Sequence, residues 1–452
     1  MSFIPSDQEE IFSELQLKNP EELFRSIPKE VRRAQPVELE PSRDEWQVKK
    51  LFRERKENSF SGTSFTGYGH YVHKTPESVD HLSSIRSFVT SYTPYQPELA
   101  QGTLQALFEY QSLMSELTSM DIANASLYDG ATSLVESIRM AVRVMGKQES
   151  PISVLLSRGI HPNTLDVINT YFPAEIQDEL NIKIKYLTLS SKTGETDWAS
   201  SGSDKKNCVV AFQNPNYLGV LEGSLNSLNT EFSESQFLYG TCDPVLLTTL
   251  DSPSDCGAGI VWGEGQSLGM PVNYGGPGLG FIAAKNEYLR QMPGRLVGKT
   301  TAKDSDENIT DAYVITLATR EQHIRREKAT SNICSNQTLM AMRASIYMAS
   351  VGWTGMQNAA RDSYNNTQYF LTQLNGKGGR PLFPQGKYFF EVPWTVRNGA
   401  EFSEACYNEK IDPGVLISNH WGEAGVILSH FNDLHTKEEI DRFINIIIPF
   451  LE

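Results

Sequence analysis

The stretch Trp262–Gly280 reads W-G-E-G-Q-S-L-G-M-P-V-N-Y-G-G-P-G-L-G, between the apolar runs Ala258–Trp262 and Leu279–Ala284. Two buried strands joined by a Gly-rich turn are the simplest structure for it. Such a turn brings backbone close to a ligand or to other backbone. Covalent chemistry on a carbonyl compound there would need an amine, and no lysine lies between Trp262 and Gly280. A second chemical stretch is Tyr92–Glu98, Y-T-P-Y-Q-P-E. Pro94 and Pro97 restrict it, which lowers the cost of presenting Tyr92, Thr93, Tyr95, Gln96 and Glu98 to a ligand. A rigid structural turn is the plain alternative. A third is the basic run Arg320, Arg325, Arg326 and Lys328, followed by Thr330, Ser331 and Asn332. Arginines recognise carboxylates in bidentate fashion, and the polar triplet reads as a cap and an interface loop. A solvated helix end explains the same run without a partner.

Other chemistries lack their motifs. There is no G-x-x-x-x-G-K-[ST] and no G-x-S-x-G, so neither a P-loop nor a hydrolase elbow is supported. His70 and His73 lie three apart in a loop with no carboxylate before Glu77, poor spacing for a metal, and none is expected. The five cysteines are scattered without C-x-x-C spacing. They read as buried thiols of a reducing cytoplasm.

These residues need a scaffold, and the chain supplies alternating signals for one. Residues 1–60 read as short helices: Asn19 caps a turn opened by Pro20, and Ser42–Asn58 forms a charged helix with one narrow apolar stripe, an arm in character. Residues 61–103 read as a long functional loop rich in Gly, Ser, Tyr and His. Helices follow from Gly102 and after Tyr128, the latter capped by Ser126 or Asp129. Strands at Ile152–Ser157, Ile182–Leu189 and Asn207–Phe212 then alternate with helices such as Asn163–Tyr171. That β–α rhythm gives an α/β fold with a mostly parallel sheet. Ala312–Leu317 reads as a further strand, and a long helix runs from Asn336 to Val351 with another to Leu374. Strands at Tyr388–Val392 and Gly425–Ser429 and a helix from Thr436 close a smaller α+β part. The division expected is an arm (1–60), a large α/β domain (61–335), and linking helices with a small C-terminal domain (336–452).

Net charge is −15, which argues against nucleic acid or an anionic membrane surface. No apolar run approaches a membrane span. The opening M-S-F-I-P-S-D-Q-E-E lacks the basic and apolar regions of a secretory signal.

Several strings carry a resemblance: I-P-S-D-Q-E-E-I, E-E-L-F-R-S-I-P-K-E-V-R, S-Y-T-P-Y-Q-P-E-L-A-Q-G-T-L-Q, A-N-A-S-L-Y-D-G-A-T-S-L, R-Q-M-P-G-R-L-V-G and T-R-E-Q-H-I-R-R-E-K-A-T-S-N-I-C-S-N-Q. Together they resemble the P-protein family of the glycine cleavage system, in the N-terminal half that many bacteria make as a separate chain. The resemblance implies the pyridoxal-phosphate (PLP) dependent transferase fold of the aspartate aminotransferase type, with a mostly parallel sheet of seven strands and a smaller C-terminal domain. It also implies an activity, glycine dehydrogenase (aminomethyl-transferring). The partners implied are a second, PLP-carrying subunit, glycine as substrate and the lipoylated H-protein, in an αβ or α2β2 assembly.

The same resemblance places Gln266 where the PLP-bearing half has its Schiff-base lysine. An amide cannot form that bond, so no cofactor and no catalytic residue of its own are expected on this chain. Asp243 falls at the position of the pyridine-nitrogen partner. Asp129 opens the helix that resembles the phosphate cup, where a carboxylate would repel phosphate. Tyr92, Thr93, Tyr95, Gln96 and Glu98 are then the loop that crosses into the partner's active site, and Arg325, Arg326, Thr330, Ser331 and Asn332 are interface candidates. The chain departs from the family at Glu264, His70 and Lys74, with the last two read as a change at the pocket entrance. Two other readings compete: a stand-alone PLP enzyme using Lys285 or Lys299, and an inert interaction subunit.

Overall fold

The computed structural model describes residues 8–33, 37–90, 92–223, 225–232, 234–303, 307–417 and 425–451. The readings made for Met1–Asp7 and Ser91 lie outside them. The chain divides into two compact units, 1–60 and 61–452.

In the first unit, Asn19 accepts from the Glu22 amide and caps the 3-10 turn Pro20–Phe24. Asp44 and Gln47 form a capping box at the start of the helix Glu45–Glu57, none of whose residues is buried. Trp46 and Phe52 are 77% and 62% exposed, as a narrow stripe on a charged helix requires.

The second unit is built on a sheet of seven strands. In chain order they are β1 (Ile122–Ala123), β2 (Ile152–Ser157), β3 (Ile182–Leu187), β4 (Cys208–Gln213), β5 (Gln236–Thr241), β6 (Ile260–Glu264) and β7 (Gly280–Ala284). Their spatial order is β1-β7-β6-β5-β4-β2-β3. Strands β3, β2, β4, β5 and β6 run parallel, while β7 is antiparallel to β6 and to β1. The strands are largely apolar because both faces are covered. Alternate residues separate the two cores: Val210, Phe212 and Val261 face α1 (Gln101–Thr118) and α4 (Thr338–Gly376). Val209, Ala211 and Ile260 face α2 (Gly130–Met145) and α3 (Pro162–Tyr171). A third core surrounds Trp394, Phe370 and Phe443, under a small antiparallel sheet of Glu391–Thr395, Val426–His430 and Val415–Leu416, with α5 (Lys437–Ile447) against it. Phe65 joins this core, and Thr63–Ser64 pairs with Ile411–Asp412.

Some elements differ from the sequence reading. The run 61–103 holds two short helices, Glu77–Ser83 and Arg86–Val89. The strand around Ala312–Leu317 lies outside the main sheet, as Ile309–Thr316 in an antiparallel ribbon with Leu296–Lys303. The two helices expected at 336–351 and on to 374 are present as Thr338–Gly376, separated by a break at Gly352, whose φ of 64° only glycine takes readily. The strand expected at Tyr388–Val392 is shifted to Glu391–Thr395. Cys334 is exposed, against the expectation of buried thiols, whereas Cys208, Cys242, Cys256 and Cys406 are buried.

Candidate functional site

Parallel sheets bind ligands at the carboxyl ends of their strands. Here a cavity of about 310 Å³ opens beyond β5 and β6, lined among others by His70, Asp129, His161, Cys242, Trp262 and Glu264. The Gly-rich stretch forms one side of it. Several of its glycines serve close approach, and a Cβ on Gly280 would stand 2.3 Å from the Asp129 carbonyl oxygen, whereas one on Gly275 or Gly276 would meet nothing within 4 Å.

Gln266 lies in the connection after β6 and is 2% exposed. Its Oε1 accepts from the Tyr71 amide at 2.9 Å and its Nε2 donates to the Met270 carbonyl at 2.7 Å. The side chain is thus a tie between this connection and the segment around Tyr71. Among the described residues no lysine lines the cavity. Lys299 is paired with Asp311 on the ribbon, and Lys285 is exposed beyond β7, so neither alternative amine stands at the cavity.

Asp243 follows β5 and is 1% exposed. Its Oδ1 accepts from the Ser267 hydroxyl at 2.7 Å and the Val245 amide at 3.2 Å. Its Oδ2 lies 2.9 Å from His73 Nε2, and His73 Nδ1 lies 2.8 Å from Asp433 Oδ1. An imidazole with a carboxylate oxygen on each nitrogen must donate twice, so it is the doubly protonated cation. Burial works against that charge, but the two carboxylates outweigh it and raise the His73 pKa to about 10. His73 is the residue that sequence reasoning missed. Asp433 is 360 positions away, and nothing local announces the pair.

The amino end of α2 is occupied by the chain's own carboxylates. Asp129 caps it, accepting from the Thr132 amide at 2.8 Å. Glu264 Oε2 accepts from the Gly130 amide at 3.0 Å, while its Oε1 accepts from the Leu279 and Gln266 amides at 2.6 and 3.0 Å. Burial pushes the Glu264 carboxyl up to about 7 despite these three donors. Glu264, noted in the sequence only as a departure, is therefore a central residue of the site. His70 also lines the cavity; burial lowers its pKa, with Asp129 pulling the other way. Lys74 does not line it.

The outer candidates gather elsewhere. Tyr92 and Tyr95 are 76% and 56% exposed and border an open groove with Thr93 and Gln96. Tyr92 Oη lies 3.1 Å from Ser335 Oγ. Tyr95 packs edge-on against His323 and lies under the Arg295 guanidinium at 5.5 Å. Arg295 in turn donates to the Cys334 carbonyl and to Asn336. The structure thus joins the Tyr92–Glu98 loop to the segment after Arg320, two stretches the sequence presented separately. Glu98, Arg325, Arg326 and Asn332 are exposed, Thr330 is half-buried and Ser331 is buried. Arg320 does not belong to a presented basic patch, because its guanidinium donates to the carbonyls of Met292, Gly294 and Leu317.

A family model described as glycine cleavage system P-protein matches residues 1–447. The chain belongs to this family. A relative from Coprothermobacter proteolyticus, a probable glycine dehydrogenase (decarboxylating) subunit 1, is 38% identical over 99% of both chains. One of the same description from Francisella tularensis subsp. novicida is 37% identical over 98% of this chain and 97% of that one. A crystal structure of glycine decarboxylase (P-protein) of the glycine cleavage system, in inhibitor-bound form, aligns with a TM-score of 0.83 at 33% identity, covering 99% of this chain and 100% of that one. A cysteine desulfurase from Thermococcus onnurineus NA1 aligns at 0.60 with 13% identity, over 91% of this chain and 99% of that one, and shows the fold alone. That fold is the PLP-dependent transferase type the resemblance implied.

In this P-protein family member the three groups that the resemblance sets against PLP do not fit it. Gln266 offers an amide in place of an amine, Asp243 has both carboxylate oxygens engaged, and carboxylates sit at the helix end where a phosphate would need free N–H groups. Among the described residues no helix is long and apolar enough to cross a membrane.

Proposed function

We propose that this chain is the first of two unlike subunits of glycine dehydrogenase (decarboxylating), and that PLP is carried by the second. Together the two would decarboxylate glycine and pass the aminomethyl group to the lipoyl arm of the H-protein, in the cytoplasm, as an α2β2 assembly. The observation that carries this reading is Gln266: the position where a lysine would hold the cofactor is a buried amide tied to Tyr71 and Met270, in a chain that matches the family along almost its full length.

This chain's part is to complete the partner's site. Tyr92, Thr93, Tyr95, Gln96 and Glu98 form the crossing loop, and the exposure of Tyr92, Tyr95 and Glu98 supports it. Arg295 braces the loop from behind. Arg325, Arg326, Thr330, Ser331 and Asn332 line the contact with the partner. The test is exchange of labelled bicarbonate into glycine by this chain with its partner and H-protein. Tyr95→Phe and Glu98→Gln are each expected to lower exchange at least tenfold without preventing assembly. Wild-type exchange in both variants would remove the loop from the site. An inert interaction subunit would give assembly with unchanged rates for every loop variant.

A further inference from the structure

We propose that this chain fills its own cofactor site with side chains that imitate the cofactor, His73 standing in for a protonated pyridine ring and Glu264 for a phosphate. The inference rests on the fold and extends the reading that PLP belongs to the partner: the site is closed from within, beyond lacking a lysine.

The first imitation lies at Asp243. In this fold a carboxylate at the end of the strand preceding the lysine position can accept from a flat, positively charged aromatic N–H. Here the flat aromatic cation is the His73 imidazolium, 2.9 Å from Asp243 Oδ2. Asp433 holds the opposite nitrogen at 2.8 Å, and the Lys74 amide donates to Asp433 at 3.1 Å. His73 is 5% exposed, so a second ring could reach Asp243 only by expelling this one.

The second imitation lies at the amino end of α2. Backbone N–H groups at a helix start favour an anion. Glu264 supplies it from β6, bonded to Gly130 at 3.0 Å, beside the Asp129 cap. A phosphate dianion placed there would meet two carboxylates and find Gly130 already engaged. Gln266 completes the closure by binding the Tyr71 amide, which holds the His73 segment in place. The cavity of about 310 Å³ is the space left over.

It follows that restoring the lysine alone cannot restore the cofactor. The experiment uses the full chain with PLP, watching for a visible absorbance band that borohydride abolishes. Wild type and Gln266→Lys are expected to show none. Gln266→Lys combined with His73→Gly and Glu264→Ala is expected to show it, with at least a tenfold gain in PLP retained after desalting. A band in Gln266→Lys alone overturns this proposal and leaves the reading of the partner intact; a band in wild type overturns both. A folded triple variant that retains no PLP also overturns it. Should the triple variant not fold, small-molecule rescue decides. Imidazole at millimolar concentration should raise the melting temperature of His73→Gly by several degrees and leave wild type unchanged. Inorganic phosphate should do the same for Glu264→Ala. Equal shifts in wild type and variant would refute the imitation.

Discussion

The buried cation at His73 makes this chain lose stability as the pH turns alkaline. Its pKa is raised from 6.5 to about 10 in the folded state. A raised pKa stabilises the fold fully below the unfolded value of 6.5 and loses that contribution as pH climbs towards 10. Each tenfold gain in proton affinity corresponds to about 1.4 kcal/mol, so the full contribution is about 5 kcal/mol, an order-of-magnitude figure for a group with no solvent screening. His73→Gln removes the charge and leaves Asp243 and Asp433 facing a neutral amide. Unpairing a buried charge costs about 3–5 kcal/mol, consistent in size. The assay is urea unfolding of both proteins at pH 7 and pH 10.5. Groups remote from the pair cancel in the difference; Tyr347 and Cys242, which feel Asp243, and His430, which feels His73, are the ones whose titration the substitution also shifts. The variant should be less stable by several kcal/mol at pH 7, and most of that gap should close by pH 10.5. A gap that stays constant across the range would mean that His73 is neutral or unpaired, and the built-in cation would have to be abandoned.

Other outcomes follow from single contacts. Gly219→Ala should destabilise the chain by more than about 2 kcal/mol, because a Cβ there would lie 2.1 Å from the Glu391 carbonyl oxygen at a φ of +73°; its urea midpoint measures this. Trp394→Ala should cost about 3–5 kcal/mol, since the ring is fully buried among Phe370, Phe402 and Phe443 and its Nε1–H donates to Ser429. In a thiol titration of the native chain, Cys334 alone should react fast, and all five cysteines should react after denaturation. Because Cys334 adjoins Thr330–Asn332, adding the PLP-carrying partner should protect it; unchanged reactivity in the assembled complex would move the interface elsewhere.

Elements that rest on local chemistry were legible before any fold was known. Asn19 and Thr436 cap helices because their side chains reach backbone amides three positions on, a relation contained within one turn. Strands such as Cys208–Gln213 were legible because both faces are buried and every residue is apolar or small, or a polar residue tied at the strand end. The absence of a lysine in Trp262–Gly280 was legible for the simplest reason, that an amide is not an amine. What replaced the lysine emerged only when the chain was folded. The tie from Gln266 to Tyr71, the approach of Glu264 to Gly130 and the bridge from Asp243 through His73 to Asp433 join residues 134 to 360 positions apart. Their charges become costly, and therefore informative, only once water is removed. A histidine in a polar loop looks solvated on paper, and burial between two carboxylates makes it the cation around which this site is closed.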